Sequence, residues 1–257
     1  MNVMRSMFQK IVASVIGAVC CLPTFGEDSI PLINHSPAKE FVRFNAHVGV
    51  GNSFVTENYE SVFPSISDLS LGSGWAFMVG ATAEFSIRDY LAIGTELNIL
   101  IDNYTADMII HSEGSQSVSN VFLKNHYYYL NVPIYASVKM NLASTVRWNI
   151  DAGLYYSYGL GGHQRQTIYN AVVNDLGQQI LSSYTIRTHY FKDADSFINA
   201  ATRSDIGLHL ATGLTFSEHY SIGVRTQIGF KNVAYTVGLN NPNIHNFSFL
   251  ATAGYFF

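Results

Sequence analysis

Charge is scarce in this chain. Lys, Arg, Asp and Glu make up 12% of its 257 residues, about half the roughly 25% of an ordinary soluble domain. With 14 basic against 18 acidic residues there is no cationic excess, which argues against nucleic acid as a partner. Cysteine is almost missing: Cys20 and Cys21 are the two, and past them neither a disulfide framework nor a thiolate metal site is possible. A long apolar run is missing as well. The one sustained stretch, Ile11 to Leu22, has 12 residues, short of the roughly 20 that cross a bilayer as a helix. What the chain does have is rings, with 16 Tyr and 17 Phe and an aromatic share of 14%. So apolar a chain is not disordered. Its balance suits a protein with much of its surface outside water.

Arg5 and Lys10 precede the apolar run, and Thr24-Phe25-Gly26 follows it with small residues at −3 and −1. That order is a secretory signal peptide over residues 1–26, cut after Gly26. Val19 ahead of Cys20 is a poor start for a lipoprotein anchor. Residues 27–40, with Pro31 and Pro37, read as a short periplasmic lead. Residues 41–257 remain for a single membrane domain. An exported, aromatic-rich chain without cysteine in its mature part fits the outer membrane of a Gram-negative bacterium.

From there the chain reads at period 2 rather than 3.6. Phe77, Val79, Ala81, Ala83, Phe85 and Ile87 alternate with Met78, Gly80, Thr82, Glu84 and Ser86. Leu91 to Ile101 repeats the pattern after the tight turn Arg88-Asp89-Tyr90, so the two form a β-hairpin. Six further segments behave alike: 41–51, 127–140, 148–160, 205–216, 221–231 and 247–257. Their apolar faces hold no Asp, Glu, Lys, Arg or His. A basic residue facing mid-bilayer lipid costs about 2–4 kcal/mol. The opposite faces carry Arg43, His47, Glu84, Glu96, Lys139, Arg147, Asp151, Asp205, His209, Arg225 and Lys231.

The connections alternate long and short. Those near 52–75, 102–126, 161–204 and 232–246 are long, and those at 88–90, 141–147 and 217–220 are short. Outer-membrane barrels have short periplasmic turns and long extracellular loops. The fold expected is an all-β, eight-stranded antiparallel up-and-down transmembrane β-barrel. Residues 167–173 and 179–187 flank Asn174-Asp175-Leu176-Gly177 and look like a hairpin standing above the membrane. A ten-stranded barrel is the alternative.

The stretch Tyr129-Leu130-Asn131-Val132-Pro133-Ile134-Tyr135-Ala136-Ser137-Val138-Lys139 resembles the "YLxIPLLxK" strand of small porin-like outer-membrane β-barrel proteins. Asp205-Ile206-Gly207-Leu208-His209-Leu210-Ala211-Thr212-Gly213-Leu214 is similar to the later "DfGlxxGxG" strand of that family. Tyr255-Phe256-Phe257 matches the aromatic end common to outer-membrane proteins. These are strand patterns and not catalytic signatures. The resemblance implies an eight-stranded outer-membrane barrel and includes a class needed for protein secretion, so it speaks to location more than to task.

Several residues carry specific expectations. Pro133 sits mid-strand on the polar face and has no N–H for the ladder, which implies a bulge or a local break. Inside a narrow lumen charges should be paired. Arg43 is expected with Glu84, and Arg225 with Glu96 or Asp151. Tyr255, Phe256 and Phe257 are expected to be the signal read by the barrel assembly machinery. Tyr127, Tyr128, Tyr129, Tyr155, Tyr156, Tyr158 and Trp75 cluster at the extracellular strand ends, as an aromatic girdle requires, or as a platform for sugar or lipid. Nine histidines show no metal-binding spacing. Ser157, His163, Asp205 and His245 lie near the outer rim without the order of a catalytic set. No enzymatic activity, cofactor or metal is expected.

Two functions survive. One is a small closed surface barrel whose long extracellular loops contact ligands or other molecules. The other is a narrow pore, or an accessory barrel for transport or a secretion complex. Both have outer-membrane lipid and the assembly machinery as partners.

Overall fold

A strand with one apolar and one polar face is stable in a bilayer only when its ladder closes, because lipid offers no partner to an open edge. A computed structural model describes residues 31–111, 117–173, 177–191, 201–234 and 242–257, and the signal-peptide reading of 1–26 lies outside them. The described residues form nine strands in order: β1 (Val42–Glu57), β2 (Ile66–Arg88), β3 (Leu91–His111), β4 (Ser117–Ala143), β5 (Val146–Val173), β6 (Gln179–His189), β7 (Ser204–Phe216), β8 (Tyr220–Gly229) and β9 (Ile244–Phe256). One helical turn, α1 (Tyr59–Val62), joins β1 to β2.

Every pairing is antiparallel, and eight strands close a ring β1-β2-β3-β4-β5-β7-β8-β9. Closure runs from Asn45 opposite Phe256 to Glu57 opposite Ile244, and the Phe257 N–H donates to the Phe44 carbonyl at 2.9 Å. β6 stands outside the ring and pairs with the upper part of β5, from His163 opposite His189 to Val173 opposite Gln179. The hairpin expected above the membrane is therefore present, and the ring holds eight strands and not ten.

The long connections differ from expectation. Most of 52–75, 102–126 and 161–189 is strand: β2, β3, β4 and β5 run 23, 21, 27 and 28 residues. A tilted crossing needs about 9–11. The apolar alternation marks where the wall meets lipid, and it stops at the membrane edge. Backbone pairing needs no apolar face and continues above it.

The outward face of the spanning part is apolar and open, with Phe44, Leu97, Ile134 and Leu154 more than half exposed. Aromatic rings frame it at both ends. Phe41, Tyr220, Tyr255 and Phe257 lie at the periplasmic edge, and Trp75, Tyr156, Tyr158 and Phe230 at the upper edge. This is the pair of girdles that interfacial aromatics form. Tyr127, Tyr129 and Tyr155, one residue out of phase, point inward and are buried.

Pro133 breaks one ladder and spares the other. On the β5 side it is in register with Tyr155. On the β3 side pairing stops at Thr95–Ile134 and resumes at Asn98–Asn131. Thr95 Oγ1 donates to the Pro133 carbonyl at 3.1 Å. At the periplasmic end, Ser217 and Glu218 turn β7 into β8 with φ of 49° and 63°, the left-handed pair that a tight hairpin turn uses. A hydrogen bond from Lys39 holds the Glu218 carboxyl below its usual range.

The closing seam depends on the last residues of the chain. Deleting Tyr255–Phe257 removes the register at Asn45 and Ala46 and the outward ring of Phe257. The truncated chain is expected to stay in the periplasm, protease-sensitive and without the heat-modifiable gel migration of a folded barrel. Normal surface levels of the truncated form would show that the seam closes without it.

Candidate functional site: the bore and its mouth

Inward positions of the eight strands converge on a narrow bore, and their chemistry changes along it. At the periplasmic end three cations meet carboxylates or carbonyls. Lys139 donates to Glu84, Arg147 to Asp89 at 3.1 Å, and Arg43 to the Glu218 carbonyl. The Arg43 guanidinium also lies 4.4 Å from the centre of the Phe256 ring.

Arg43 and Glu84 are direct cross-strand partners in the backbone register, yet the expected ion pair between them is absent. Glu84 turns to Lys139 on β4 instead. The lumen-facing residues of the intervening β3 are small, with Gly94 opposite Glu84 and Ala92 opposite Ser86 and Ser137, so the lysine chain can cross above them. Arg43 is left to the periplasmic turn.

In the middle, Arg225 of β8 reaches across the bore to Glu96 of β3. Nη1 donates to Oε2 at 2.5 Å and Nη2 to Oε1 at 2.9 Å. This is the two-point geometry in which guanidinium binds carboxylate most strongly. Tyr135 Oη and Asn98 Nδ2 also donate to Glu96, at 3.1 and 2.9 Å. His47 bonds Asn98 at 2.8 Å. Asn131, Ser157, Gln227 and His209 continue the network upward. Asp151, the other expected partner of Arg225, has no cation within 4.0 Å among the described residues and accepts from Asn149 at 2.8 Å. A cavity of about 80 Å³ lies between the periplasmic and middle layers, lined by Arg43, His47, Glu84, Lys139, Asp151 and Arg225 among others.

The upper bore is aromatic. Tyr127 stacks on Tyr190 at 4.4 Å with the rings 6° apart. Phe191 meets Tyr127, Tyr129 and Tyr190 edge-on, and Tyr104 meets Tyr127 and Tyr190. Tyr127 is fully buried and Phe191 is 8% exposed. The Phe191 ring lies where a side chain on Gly159 would stand, 2.5 Å from that Cβ position, so any larger residue there would have to displace the ring. Tyr59, the first residue of α1, and Phe63, just past its end, stack at 5.6 Å and join the same cluster. Tyr127, Tyr129 and Tyr155, expected from the sequence in the aromatic girdle, lie in the bore instead; their alternation with the outward Tyr128 and Tyr156 was the signal that could have shown it. Tyr190 and Phe191 carried no such signal, because they lie past β6 with no alternation around them.

The rim residues considered for catalysis do not assemble. Ser157 and Asp205 are cross-strand partners, both buried. Ser157 accepts from Asn131, and Asp205 accepts from Tyr155 and Asn246 at 3.0 and 2.9 Å. His163 is six residues further along β5, opposite His126 and His189, and His245 is on β9. Among the described residues no group of three His, Cys, Asp or Glu is placed to hold a metal ion, and no helix is long and apolar enough to cross a membrane.

A closed ring of antiparallel strands, apolar outside, polar inside and girdled at both edges, defines an integral β-barrel of the Gram-negative outer membrane. The chain belongs to the family of the outer membrane protein beta-barrel domain, which matches residues 34–241. Three solved structures are similar. Ail, the attachment invasion locus protein of Yersinia pestis, in complex with the heparin analogue sucrose octasulfate, is 12% identical with a TM-score of 0.35, and the match covers 85% of this chain and 100% of Ail. Neisserial surface protein A is 11% identical with a TM-score of 0.32, over 82% of this chain and 96% of its own. OprG of Pseudomonas aeruginosa is 8% identical with a TM-score of 0.34, over 88% and 99%. No curated protein matches the sequence.

Two outcomes follow from this geometry. Removing one member of a buried ion pair strands the other at a cost of about 3–5 kcal/mol, while replacing both costs much less. Glu96→Gln or Arg225→Met alone should therefore destabilise the refolded barrel more than the two together, read from urea unfolding in detergent. At the mouth, burial raises the Glu57 carboxyl to about 7 from 4.5, and among the described residues its Oε1 has no hydrogen-bond partner. A raised acid contributes stability below 4.5 that is lost as pH rises through about 7. Hydrogen exchange around α1 should speed up across that window, and Glu57→Gln should flatten the response.

Proposed function

We propose that the protein is a closed surface barrel without enzymatic activity, whose extracellular sheet and loops meet ligands or other molecules outside the cell. The observation that carries this reading is the filled upper bore, where Tyr104, Tyr127, Tyr129, Tyr190 and Phe191 are each at most 8% exposed. An eight-stranded ring leaves room for side chains and little else. Here rings occupy the upper half and the Arg225–Glu96 bridge spans the middle.

Strand length supports an outward task. More than half of β4 and of β5 exceeds what a crossing needs. The separation of Ser157 and Asp205 from His163 supports the absence of catalysis. Export through a cleaved signal peptide at 1–26, and reading of Tyr255–Phe257 by the assembly machinery, belong to the same proposal. A pore or secretion accessory draws less support, because the periplasmic turns are short and the bore is filled.

Conductance of the refolded full chain in a planar bilayer tests this, with folding checked by heat-modifiable migration. No steady unitary openings are expected. Regular openings from folded protein would overturn the closed-barrel reading in favour of the pore.

A further inference from the structure

The register of the extracellular sheet sets six basic residues in a grid on its outward face. His126, His163 and His189 stand abreast on β4, β5 and β6 as direct cross-strand partners. Two residues further up the same face, Lys124, Arg165 and Arg187 form a second row. Strands lie about 4.8 Å apart and rise about 3.4 Å per residue. The grid is therefore about 10 Å wide, with roughly 7 Å between its rows.

Three full positive charges directly abreast destabilise a sheet. Nothing within the described structure offsets them. No carboxylate lies within 4.0 Å of Lys124, Arg165 or Arg187 among the described residues. Asp107, on the neighbouring β3, is opposite Phe122 in the next row. Lys124 rests over the Phe122 ring at 5.5 Å, and all three cations are exposed. In the row below, His126 is fixed by Asn103 and by the hydroxyl of the outward Tyr128, each at 2.6 Å.

Position decides what covers the grid. The face that carries it is the one that meets lipid lower down, through Tyr128, Leu130, Val132 and Ile134 on β4. The histidine row is the first above Tyr128 and the cation row the second. On a strand tilted by about 40° the two rows rise roughly 5 and 10 Å above that tyrosine. The headgroup layer extends about 5–8 Å beyond the hydrocarbon, so the histidine row lies within it and the cation row just above it, where long Lys and Arg side chains reach back to the headgroups. We propose that Lys124, Arg165 and Arg187 bind the phosphate groups of the outer-leaflet glycolipid, lipopolysaccharide, and so tie the extracellular sheet to the membrane surface. Arginine supplies two-point hydrogen bonds to phosphate oxygens and lysine a point charge. This site depends on the outer-membrane location and not on the barrel being closed.

The test uses the refolded full chain in neutral detergent, titrated with lipid A carrying both phosphates, and read by native mass spectrometry. Near an anionic surface each basic residue contributes roughly fivefold in affinity. K124Q/R165Q/R187Q is therefore expected to bind about 100-fold more weakly, while K39Q/R88Q, which removes charge at the periplasmic end, binds as wild type. Dephosphorylated lipid A should bind as weakly to wild type as intact lipid A binds to the triple variant. Heat-modifiable migration checks folding. If the triple variant does not fold, R187Q alone on the edge strand should lose about fivefold. Wild-type affinity in the folded triple variant, or in R187Q, would overturn the proposal. Equal binding of dephosphorylated lipid A would also overturn it. So would a soluble sulfated oligosaccharide that binds as tightly as lipid A, because the site would then read charge alone.

Discussion

Everything in this molecule depends on one closed ladder of backbone hydrogen bonds. Lipid accepts no unpaired N–H or C=O, so the first and last strands have to meet. They do so over most of β1, from Asn45–Phe256 to Glu57–Ile244. Once the ring shuts, every spanning strand has one face in lipid and one in the bore. The outward face then excludes charge on energetic grounds. The inward face must take the charge and satisfy it within a space only a few side chains across.

That confinement explains how the bore is divided. Near the periplasm, water and the turn backbone are within reach, so Arg43 settles on a carbonyl and an aromatic ring. At mid-height neither is available, and Arg225 has to find Glu96 across the barrel with both terminal Nη nitrogens engaged. Higher still, the strands leave the bilayer and the filling turns apolar. Tyrosines suit that level because each carries a large ring with a hydroxyl at its edge.

The sequence made this architecture legible where a physical requirement acts residue by residue. Lipid exposure is such a requirement, and Phe77-x-Val79-x-Ala81 shows it without any knowledge of neighbours. The inward direction of Arg43, Glu84, Glu96, Asp151 and Arg225 was legible for the same reason. Who pairs with whom was not. It depends on the stagger between strands and on the small residues between them, as Gly94 and Ala92 show by letting Lys139 reach Glu84. The extracellular halves of β2 to β5 were also hidden, since both of their faces are polar or mixed and pairing alone holds them. Tyr190 and Phe191 close the mouth from a segment with no periodicity.

β5 joins the two regimes. It pairs with β4 along its length, with β7 below and with β6 above. The change falls at Gly159-Leu160-Gly161-Gly162. There Tyr129 is opposite Gly159 and Tyr128 is opposite Gly161, so Leu160 is an extra residue on the β5 side. A bulge of this kind reverses the phase of the strand that carries it. Below it the even residues face lipid, as Leu154, Tyr156 and Tyr158 do. Above it the odd residues face outward, which brings His163 and Arg165 level with His126 and Lys124 on β4. Without that one inserted residue, the buried Gln164 and Gln166 would face out and Arg165 would point among the aromatic rings of the mouth. A run of glycines that resembles a simple strand end is thus the point where the barrel wall becomes an outward-facing sheet with charge on its surface.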